Sequence, residues 1–430
     1  MTSFAEIGHT TVDRARVVFG TAGAQILVQA LGLLAGLAVV RGLAPIEYAA
    51  YTVANAAIGA LIAISDSGVA AGVLSQGGRI WQDRVALGSV LVTGQRLRRR
   101  MLPAAFAIAA GFVTWVTMRL GLGLLPSLLI ALAGLPALWL TTQTQMLEVV
   151  PRLQQDIGRL QRLQVSNGLG RLLLVVALLP LAPWAAIAIA AAALPQAWCV
   201  WRLRRLAARY ADLDSPPNAA VDAVLRRQVR RTMPAVIYFA ISGQLSIGLV
   251  SLLGTARQVA SVGALGRLTM LLVALSAAFG VLVVPRFARL DDRDPSRVLR
   301  FFWLAQAALF LAGLGVVGLV AIFRSQVVWI LGPNYAGLER EAVLMAGTGV
   351  LWAMAGGALN LVGVRGIVTP PWFIIPVSLT VEVSAILVLP VGTVLGAIEF
   401  GAAAAFVQWA LHASHFHWLL ARRRSVGGPP

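Results

Sequence analysis

Residues 39–76 read VVRGLAPIEYAAYTVANAAIGALIAISDSGVAAGVLSQ. One apolar run ends at Arg41, a short turn contains Pro45 and Glu47, and a second apolar run then continues to Asp66. A helix needs about 20 apolar residues to cross the hydrocarbon core of a bilayer. The stretch therefore predicts two membrane-spanning helices joined by a tight turn.

The composition places the whole chain in a membrane. The 430 residues are 59% hydrophobic and 12% charged, with a mean hydropathy of +0.82, far from the balance of a soluble domain. At about 20 residues per crossing, the chain has room for about a dozen helices. Apolar segments bounded by charges, Pro and Trp predict twelve spans, at residues 17–40, 48–74, 101–118, 122–146, 164–182, 184–201, 234–253, 260–284, 302–323, 342–363, 372–391 and 397–420.

The predicted fold is an all-α polytopic membrane protein with two six-helix lobes around a central cavity. The longest polar segment, 202–232, includes SPPN, which cannot continue a helix. We expect it to be a cytoplasmic linker between an N-terminal lobe, 1–201, and a C-terminal lobe, 233–430. A helix ends near Gly42 in one lobe and near Gly254 in the other, which is consistent with an internal duplication of the kind found in transporters.

The distribution of arginine predicts the orientation. The chain has 35 basic and 17 acidic residues, which gives a net charge of +18. Most of the basic residues lie at the N-terminus, at the C-terminus and in alternate loops. The positive-inside rule places these segments, and therefore both termini, in the cytoplasm. A basic chain can bind nucleic acid, but arginines confined to short segments between apolar spans indicate membrane topology instead, and we expect no nucleic-acid partner.

The stretch 39–76 resembles the opening of bacterial polysaccharide flippases, of the O-antigen type, in the multidrug/oligosaccharidyl-lipid/polysaccharide exporter superfamily. Those proteins begin with a helix, an Arg-x-Leu-x-Pro-x-Glu-Tyr-Gly-like turn, and a second helix with Asp-x-Gly near its cytoplasmic end. Ala49 stands where the glycine is usual, and Ala260-Ser261-Val262 replaces a later Gly-x-Tyr of the family. The matching residues are Arg41, Pro45, Glu47, Tyr48, Asp66 and Gly68, with Gly332 and Tyr335 in a later turn.

The resemblance implies a transporter rather than an enzyme. Such flippases move an isoprenoid-linked oligosaccharide from the inner to the outer leaflet of the bacterial inner membrane by alternating access. They have no nucleotide site of their own, and this sequence has no P-loop and no feature that calls for a cofactor. The implied partners are the lipid-linked saccharide, membrane lipids and, in the cell, polysaccharide polymerase and glycosyltransferases.

Two alternative functions stay open. A multidrug antiporter of the same superfamily usually has an ion-coupling acid in its first helix, whereas Gln25 and Gln29 are the only large polar groups in residues 17–40. A polytopic polysaccharide polymerase or ligase usually has catalytic side chains in a sizeable outer loop. The outer loops predicted here are only a few residues long, which favours a transporter.

Two arginines lie inside predicted spans, each in the tetrapeptide LGRL. A charge at the bilayer centre costs about 2.5–3.5 kcal/mol, so it should face protein or water. We expect Arg171 near the midplane or slightly to its cytoplasmic side, and Arg267 on the outer side. Guanidinium groups suit anionic sugars and diphosphates. The alternative is that each side chain reaches an interface or pairs with an acid.

The remaining polar groups inside the spans are acids and amides. Asp66 and Glu382 are the deepest acids and the candidates for ion coupling. For Asp66 the alternative is a helix cap or an ion pair with a buried arginine. The amides are candidates for substrate binding, with interhelical hydrogen bonding as the alternative. They are Gln25, Gln29, Asn55, Gln244 and Asn360.

We expect no metal site, disulfide or catalytic site. Cys199 is the only cysteine, which excludes an intramolecular disulfide. Three histidines, His412, His415 and His417, lie in HASHFHW, residues 412–418. No carboxylate is nearby in sequence, so we interpret them as interfacial residues. Asp212 and Asp214 match the DxD of nucleotide-sugar transferases only formally, because no βαβ unit surrounds them.

Overall fold

The computed structural model describes residues 4–291, 294–367 and 369–425, with side chains from residue 23 onward except those of 281 and 423–425. Every regular element in these ranges is helical. The α-helices are α1 (Phe4–Gly42), α2 (Pro45–Asp66), α3 (Val69–Gly77), α4 (Arg84–Arg119), α5 (Leu124–Leu147), α6 (Val149–Leu153), α7 (Ile157–Leu178), α8 (Ala185–Ala207), α9 (Ala219–Leu253), α10 (Ala256–Leu265), α11 (Thr269–Leu282), α12 (Val284–Ala288), α13 (Pro295–Ile322), α14 (Arg324–Leu331), α15 (Glu339–Val364), α16 (Pro371–Val388) and α17 (Val394–Ser425).

The described helices confirm the predicted fold class. Eleven helical segments in these ranges are long and apolar enough to cross a membrane. α7 is not one of these eleven segments, because the first half of its 22 residues is more polar. It nevertheless packs along the membrane-spanning helix α1. A Cβ on Gly42 would stand 3.0 Å from Leu179, and a Cβ on Gly168 would stand 3.3 Å from Leu31. Both contacts join residues 137 positions apart, so α7 runs parallel to α1 in one register. The chain is an all-α polytopic membrane protein.

Two helices continue far beyond their predicted apolar spans. The arginine-rich segment 79–100, predicted to lie outside the spans, is helical from Arg84, where the Asp83 side chain accepts hydrogen bonds from two amides of the first turn at 3.0 Å. α4 has 36 residues and α9 has 35. Such helices are about 50 Å long at 1.5 Å per residue, against a hydrocarbon core of about 30 Å. Both therefore extend well beyond the core at their arginine-rich ends.

One predicted span is interrupted, and another contains a 3-10 turn. The helix predicted at 48–74 ends at Asp66, because Ser67 and Gly68 have positive φ angles of 35° and 84°, and α3 begins after them. The helix predicted at 260–284 continues through a 3-10 turn, Gly266–Leu268, between α10 and α11, and belongs to one span, 256–288. The second LGRL copy lies in this turn, whereas the first copy lies within the α-helix α7.

The chain divides into two compact units, residues 1–244 and 245–430. In the first unit α5 packs on α8 and α1 on α7, and in the second unit α15 packs on α13 and α17. An apolar core in the second unit is built on Phe287, Phe302 and Phe416. Two lobes joined by a linker at 202–232 stay a prediction. Helix α8 includes the first six of those residues, and α9 includes those from 219 onward.

The segment between α8 and α9 is hydrogen-bonded to the first turns of α4. The Arg84 guanidinium donates to the carbonyl oxygen of Ala208 at 2.6 Å, and the Asp212 amide donates to the carbonyl oxygen of Arg84 at 2.9 Å. Further along, the Asn218 amide donates to the Thr93 hydroxyl at 2.8 Å. The connection is therefore part of the first unit and contributes to its packing.

The two glycines that suggest a duplication occupy corresponding places. Gly42 ends α1 and lies against Leu179, at the turn that leads into α8. Gly254 follows α9, and a Cβ there would stand 2.4 Å from the carbonyl oxygen of Gly392, in the turn that leads into α17. The end of α1 therefore packs against the turn before α8, and the end of α9 packs against the turn before α17.

Gln306 of α13 is a buried amide in an apolar surrounding. It is 1% exposed, and neither its Oε1 nor its Nε2 has a hydrogen-bond partner among the described residues. Burying an unsatisfied polar group costs about 1–3 kcal/mol. We therefore expect Gln306→Met to raise the free energy of unfolding by about 1 kcal/mol, measured by denaturant unfolding of the purified protein in detergent.

Gln408 offers a matched control for this change. It is 5% exposed, and its Nε2 donates to the Ser378 hydroxyl at 3.5 Å. Gln408→Met removes that hydrogen bond and should lower stability. If Gln306→Met lowers stability as well, the Gln306 amide is satisfied in the protein and the prediction is wrong.

Candidate functional site

The corner after α2 is held by a buried arginine that was not among the predicted site residues. Arg98 of α4 is 2% exposed, and its Nη2 lies 2.7 Å from Asp66 Oδ1. The same guanidinium donates to the carbonyl oxygens of Ser65 at 3.3 Å and Thr142 at 2.9 Å. Asp66 Oδ1 also accepts a hydrogen bond from the Ala70 amide at 3.0 Å. Asp66 is thus both the partner of a buried arginine and a cap for α3.

Helix α9 contacts the same corner from another side. The Thr232 hydroxyl donates to the carbonyl oxygen of Ser67 at 2.6 Å, and Gln228 Nε2 donates to that of Gly68 at 3.2 Å. Glycine suits this position because its φ is 84° and a Cβ would stand 3.3 Å from the Thr232 hydroxyl. The Asp-x-Gly pattern therefore builds a rigid corner between three helices.

The turn before α2 also has a structural role. Glu47 Oε2 accepts a hydrogen bond from the Ala185 amide at 2.7 Å, in the first turn of α8, where the helix dipole favours a negative charge. Tyr48 is fully buried and its ring stacks on that of Tyr51 at 5.8 Å between centroids. The residues that resemble the flippase turn thus join α2 to α8.

Arg171 lies level with the middle of the apolar span of α1. In the register shared by α1 and α7 it lies level with Leu34, roughly 2 Å from the centre of the span Gly23–Gly42 at 1.5 Å per residue. Its Nη2 donates to the hydroxyl of the buried Tyr51 at 3.2 Å. Its Nε is buried and has no partner among the described residues. One buried donor of this guanidinium is therefore unused among the described residues.

Asn167 presents an unused acceptor on the same face of α7. It lies one turn before Arg171, and its Nδ2 donates to Gln196 Oε1 at 2.6 Å. Gln196 Nε2 in turn donates to the Thr144 hydroxyl at 2.5 Å, which fixes the amide. Asn167 Oδ1 is buried without a partner in the part of the chain that the structure describes. A hydroxyl group, which both donates and accepts, is complementary to this pair.

A polar face of α2 continues from Tyr51. Asn55 and Gly59 follow it at four-residue intervals, and Asn55 Nδ2 donates to the Tyr51 carbonyl oxygen at 2.8 Å. Gln244 of α9 lies opposite Gly59, with its Nε2 3.8 Å from where a Cβ would stand. The structure therefore brings Asn55 and Gln244 to one face of α2, with Arg171 contacting that face at Tyr51.

The two glutamines of α1 lie at different levels from Arg171. Both are half-buried. In the shared register Gln29 is level with residue 166, next to Asn167, and lies about 8 Å below Arg171 along the axis. Gln25 lies about 14 Å below Arg171 by the same measure. Gln29 is thus close to the level of the unused polar pair, and Gln25 is not.

In the second unit Arg267 lies where the helix tightens to a 3-10 turn. It is the central residue of the 3-10 turn Gly266–Leu268, and it is half-buried. The next helix begins with Thr269, which packs closely against Gly349 of α15. The chain stays helical on both sides of this turn, and residues 256–288 form one span, as the sequence predicted for 260–284.

Glu382 lies on the buried face of α16. It is 4% exposed and follows the buried Ser378 by four residues, on the helix that packs against α17. Gln408 of α17 donates to the Ser378 hydroxyl, so the interface around this carboxyl is polar. Asn360 is exposed on α15. Of the two predicted acids, Glu382 is therefore the more deeply buried.

The histidines and the DxD pair have ordinary contacts. The ring of His412 lies 3.1 Å from the Thr369 hydroxyl, and His417 Nδ1 lies 3.4 Å from the Trp303 indole nitrogen. The Asp212 side chain accepts hydrogen bonds within its own turn, at 2.9 and 3.2 Å. Across the described ranges no group of three His, Cys, Asp or Glu side chains is arranged to hold a metal ion.

Solved structures identify the type of fold. An inward-facing multidrug resistance MATE family transporter of the MOP superfamily has a TM-score of 0.72 at 16% identity, covering 93% of this chain and 96% of that one. An outward-facing member has a TM-score of 0.65 at 15% identity, covering 96% of each chain. A eukaryotic MATE transporter has a TM-score of 0.63 at 13% identity, covering 96% of this chain and 99% of that one. No sequence-family profile and no curated protein matches this chain significantly.

Proposed function

We propose that this chain is a membrane transporter of the MOP superfamily that flips isoprenoid-linked oligosaccharide or polysaccharide precursors by alternating access. The observation that carries the proposal is the Arg171 guanidinium level with the middle of the α1 span, with its Nε unused one helical turn after Asn167, whose Oδ1 is also unused among the described residues. The fold supports transport, and the positive charge supports an anionic substrate.

The sign of this charge favours an anionic substrate. A guanidinium donates paired hydrogen bonds to phosphate or carboxylate oxygens and stays charged, whereas it repels an organic cation. Sugar hydroxyls also match the donor and acceptor of Arg171 and Asn167. A multidrug antiporter is the alternative within the superfamily. Residues 23–42, the apolar span of α1, contain no acid that could couple a cation to transport.

The proposed roles of the predicted residues follow from their positions. Arg171 and Arg267 are each proposed to contact anionic groups of the substrate during transport. Glu382, a buried carboxyl, would take up and release the coupling ion. We assign Asp66 a structural role, because Arg98 and the first turn of α3 share its carboxylate. The amides proposed to contact sugar are Gln25, Gln29, Asn55, Gln244 and Asn360.

The distribution of arginine supports the proposed location. With both termini in the cytoplasm, the arginine-rich ends of α4, α8 and α9 face the cytoplasm of a bacterial cell and the chain crosses its inner membrane. Glycosyltransferases would then supply the lipid-linked saccharide on the cytoplasmic side. A polysaccharide polymerase would consume it on the other side.

The test is the leaflet in which the lipid-linked saccharide accumulates. We expect Arg171→Glu to reduce transfer to the outer leaflet at least tenfold, equivalent to about 1.4 kcal/mol, because it replaces an attractive charge by a repulsive one. A membrane-impermeant oxidant applied to intact spheroplasts measures the fraction of saccharide on the outer side. Arg119→Glu makes the same charge change at an exposed residue at the end of α4 and should leave transfer unchanged.

Three other outcomes would contradict the proposal. Normal sidedness in a folded, membrane-inserted Arg171→Glu variant would remove this arginine from the substrate path. Loss of dye efflux from intact cells without a saccharide defect would indicate the multidrug antiporter. Altered linkage or chain length with normal sidedness would indicate a polymerase or ligase.

A further inference from the structure

The first unit contains a strongly basic cavity where the arginine-rich ends of α7 and α8 meet. Its volume is about 360 Å³, within the range of about 300–1,000 Å³ typical of small-molecule sites. Leu163 and Leu206 line part of it, and every other lining residue is an arginine. The arginines are Arg159, Arg162, Arg202, Arg205 and Arg209.

The cavity has a large excess of positive charge. Arg159 pairs with Asp156 at 2.9 Å, but the other four arginines form no ion pair with any acid that the structure describes. Arg159 and Arg162 also lie in the first two turns of α7, where the helix dipole is itself positive. A bound anion would offset both the mutual repulsion and the unfavourable dipole.

Aromatic residues place the cavity at the membrane interface. Trp198 and Trp201 of α8 are each 45% exposed, as tryptophans at the level of lipid headgroups commonly are. The Arg202 guanidinium lies 5.7 and 6.0 Å from these two rings, and that of Arg205 lies 3.7 Å from Trp201. Stacked guanidinium groups keep their N–H edges available for phosphate oxygens.

An apolar surface leads from the cavity toward the middle of the membrane. Leu194 is 60% exposed and lies on the same face of α8 as Trp198 and Trp201, one turn earlier. On α7, Leu169 and Leu173 are 45% and 60% exposed beyond the arginines. A ligand that occupies the basic cavity can therefore extend hydrocarbon chains along both helices.

We propose that this cavity binds the phosphate headgroup of an anionic membrane lipid, whose acyl chains lie on the exposed apolar faces of α7 and α8. Basic pockets between membrane helices on the cytoplasmic side are a common type of lipid site. A neighbouring cavity shares Arg205 but is also lined by Asp212 and Asp214, so it is less suited to an anion. The site is separate from Arg171 and its occupation does not depend on the transported substrate.

Native mass spectrometry of the full chain in detergent tests the proposal. We expect dioleoyl phosphatidylglycerol to bind at least tenfold more tightly than dioleoyl phosphatidylcholine. The triple variant R162Q/R202Q/R205Q should lose this preference. The control R227Q/R230Q/R231Q removes the same charge from exposed arginines of α9 and should keep it.

A second variant and a second probe complete the test. R162Q/R209Q leaves the stacked arginines of α8 in place and should still weaken phosphatidylglycerol binding at least threefold, even if the triple variant fails to fold. Equal losses in the cavity and control variants would show unspecific attraction to a basic surface and overturn the proposal. Sodium glycerol 3-phosphate that binds as tightly as the lipid would show a site for free phosphate and also overturn it.

Discussion

Arg98→Met is expected to lower the free energy of unfolding by about 3 kcal/mol, near the lower end for breaking a buried ion pair. The Arg98 side chain is 3% exposed, and its guanidinium contacts Asp66, the carbonyl oxygens of Ser65 and Thr142, and the Gln145 side chain. Methionine fills a similar volume but leaves these acceptors without a donor. Asp66 is 33% exposed, so water can solvate its carboxylate in part and limit the loss.

The neighbouring Arg99 gives a matched control. It is exposed on the same helix, with its guanidinium 5.2 Å from the Trp139 ring, so Arg99→Met should cost about 1 kcal/mol or less. Denaturant unfolding of the two variants, purified in the same detergent, measures the difference. If the two losses are equal, the corner after α2 does not depend on the buried guanidinium.

The membrane spans could be predicted because transfer of apolar segments into lipid depends on local composition. The ends of the helices could not be predicted from composition in this way. Residues 84–100 and 219–233 contain repeated arginines, so a hydropathy criterion for membrane spans leaves them out. The first turns of α4 are instead held by the segment 208–218, through hydrogen bonds between residues more than a hundred positions apart.

In the candidate site, too, local sequence predicts some features, and others depend on contacts between distant parts of the chain. The charge of Arg171 and its depth follow from its distance to the ends of an apolar run, whereas its contact with Tyr51 depends on which helices are neighbours. Arg98 was missed because it lies in the run RLRRR, which is typical of a cytoplasmic segment. Helical periodicity could have predicted its burial. Arg98 lies at intervals of three and four residues from Leu91, Gly94 and Leu102, on the buried face of α4.

Gly88→Ala is expected to lower the free energy of unfolding by about 3 kcal/mol, at the upper end for overpacking. A Cβ on Gly88 would stand 1.9 Å from the carbonyl oxygen of Asp212 and 2.9 Å from its amide nitrogen. Both are backbone atoms, so no flexible side chain can move away. The segment would have to shift from α4, which breaks the hydrogen bond between the Asp212 amide and the Arg84 carbonyl oxygen.

Gly111 lies on the same helix and separates this packing effect from helix propensity. A Cβ on Gly111 would meet no atom within 4 Å, so Gly111→Ala should raise stability by up to about 1 kcal/mol through the lower backbone entropy of alanine. The two variants should therefore change stability in opposite directions under the same unfolding conditions. Limited proteolysis should also cleave residues 208–218 faster in Gly88→Ala alone, because those residues lose their support on α4. Equal stability and equal cleavage in the two variants would mean that the segment does not pack on Gly88.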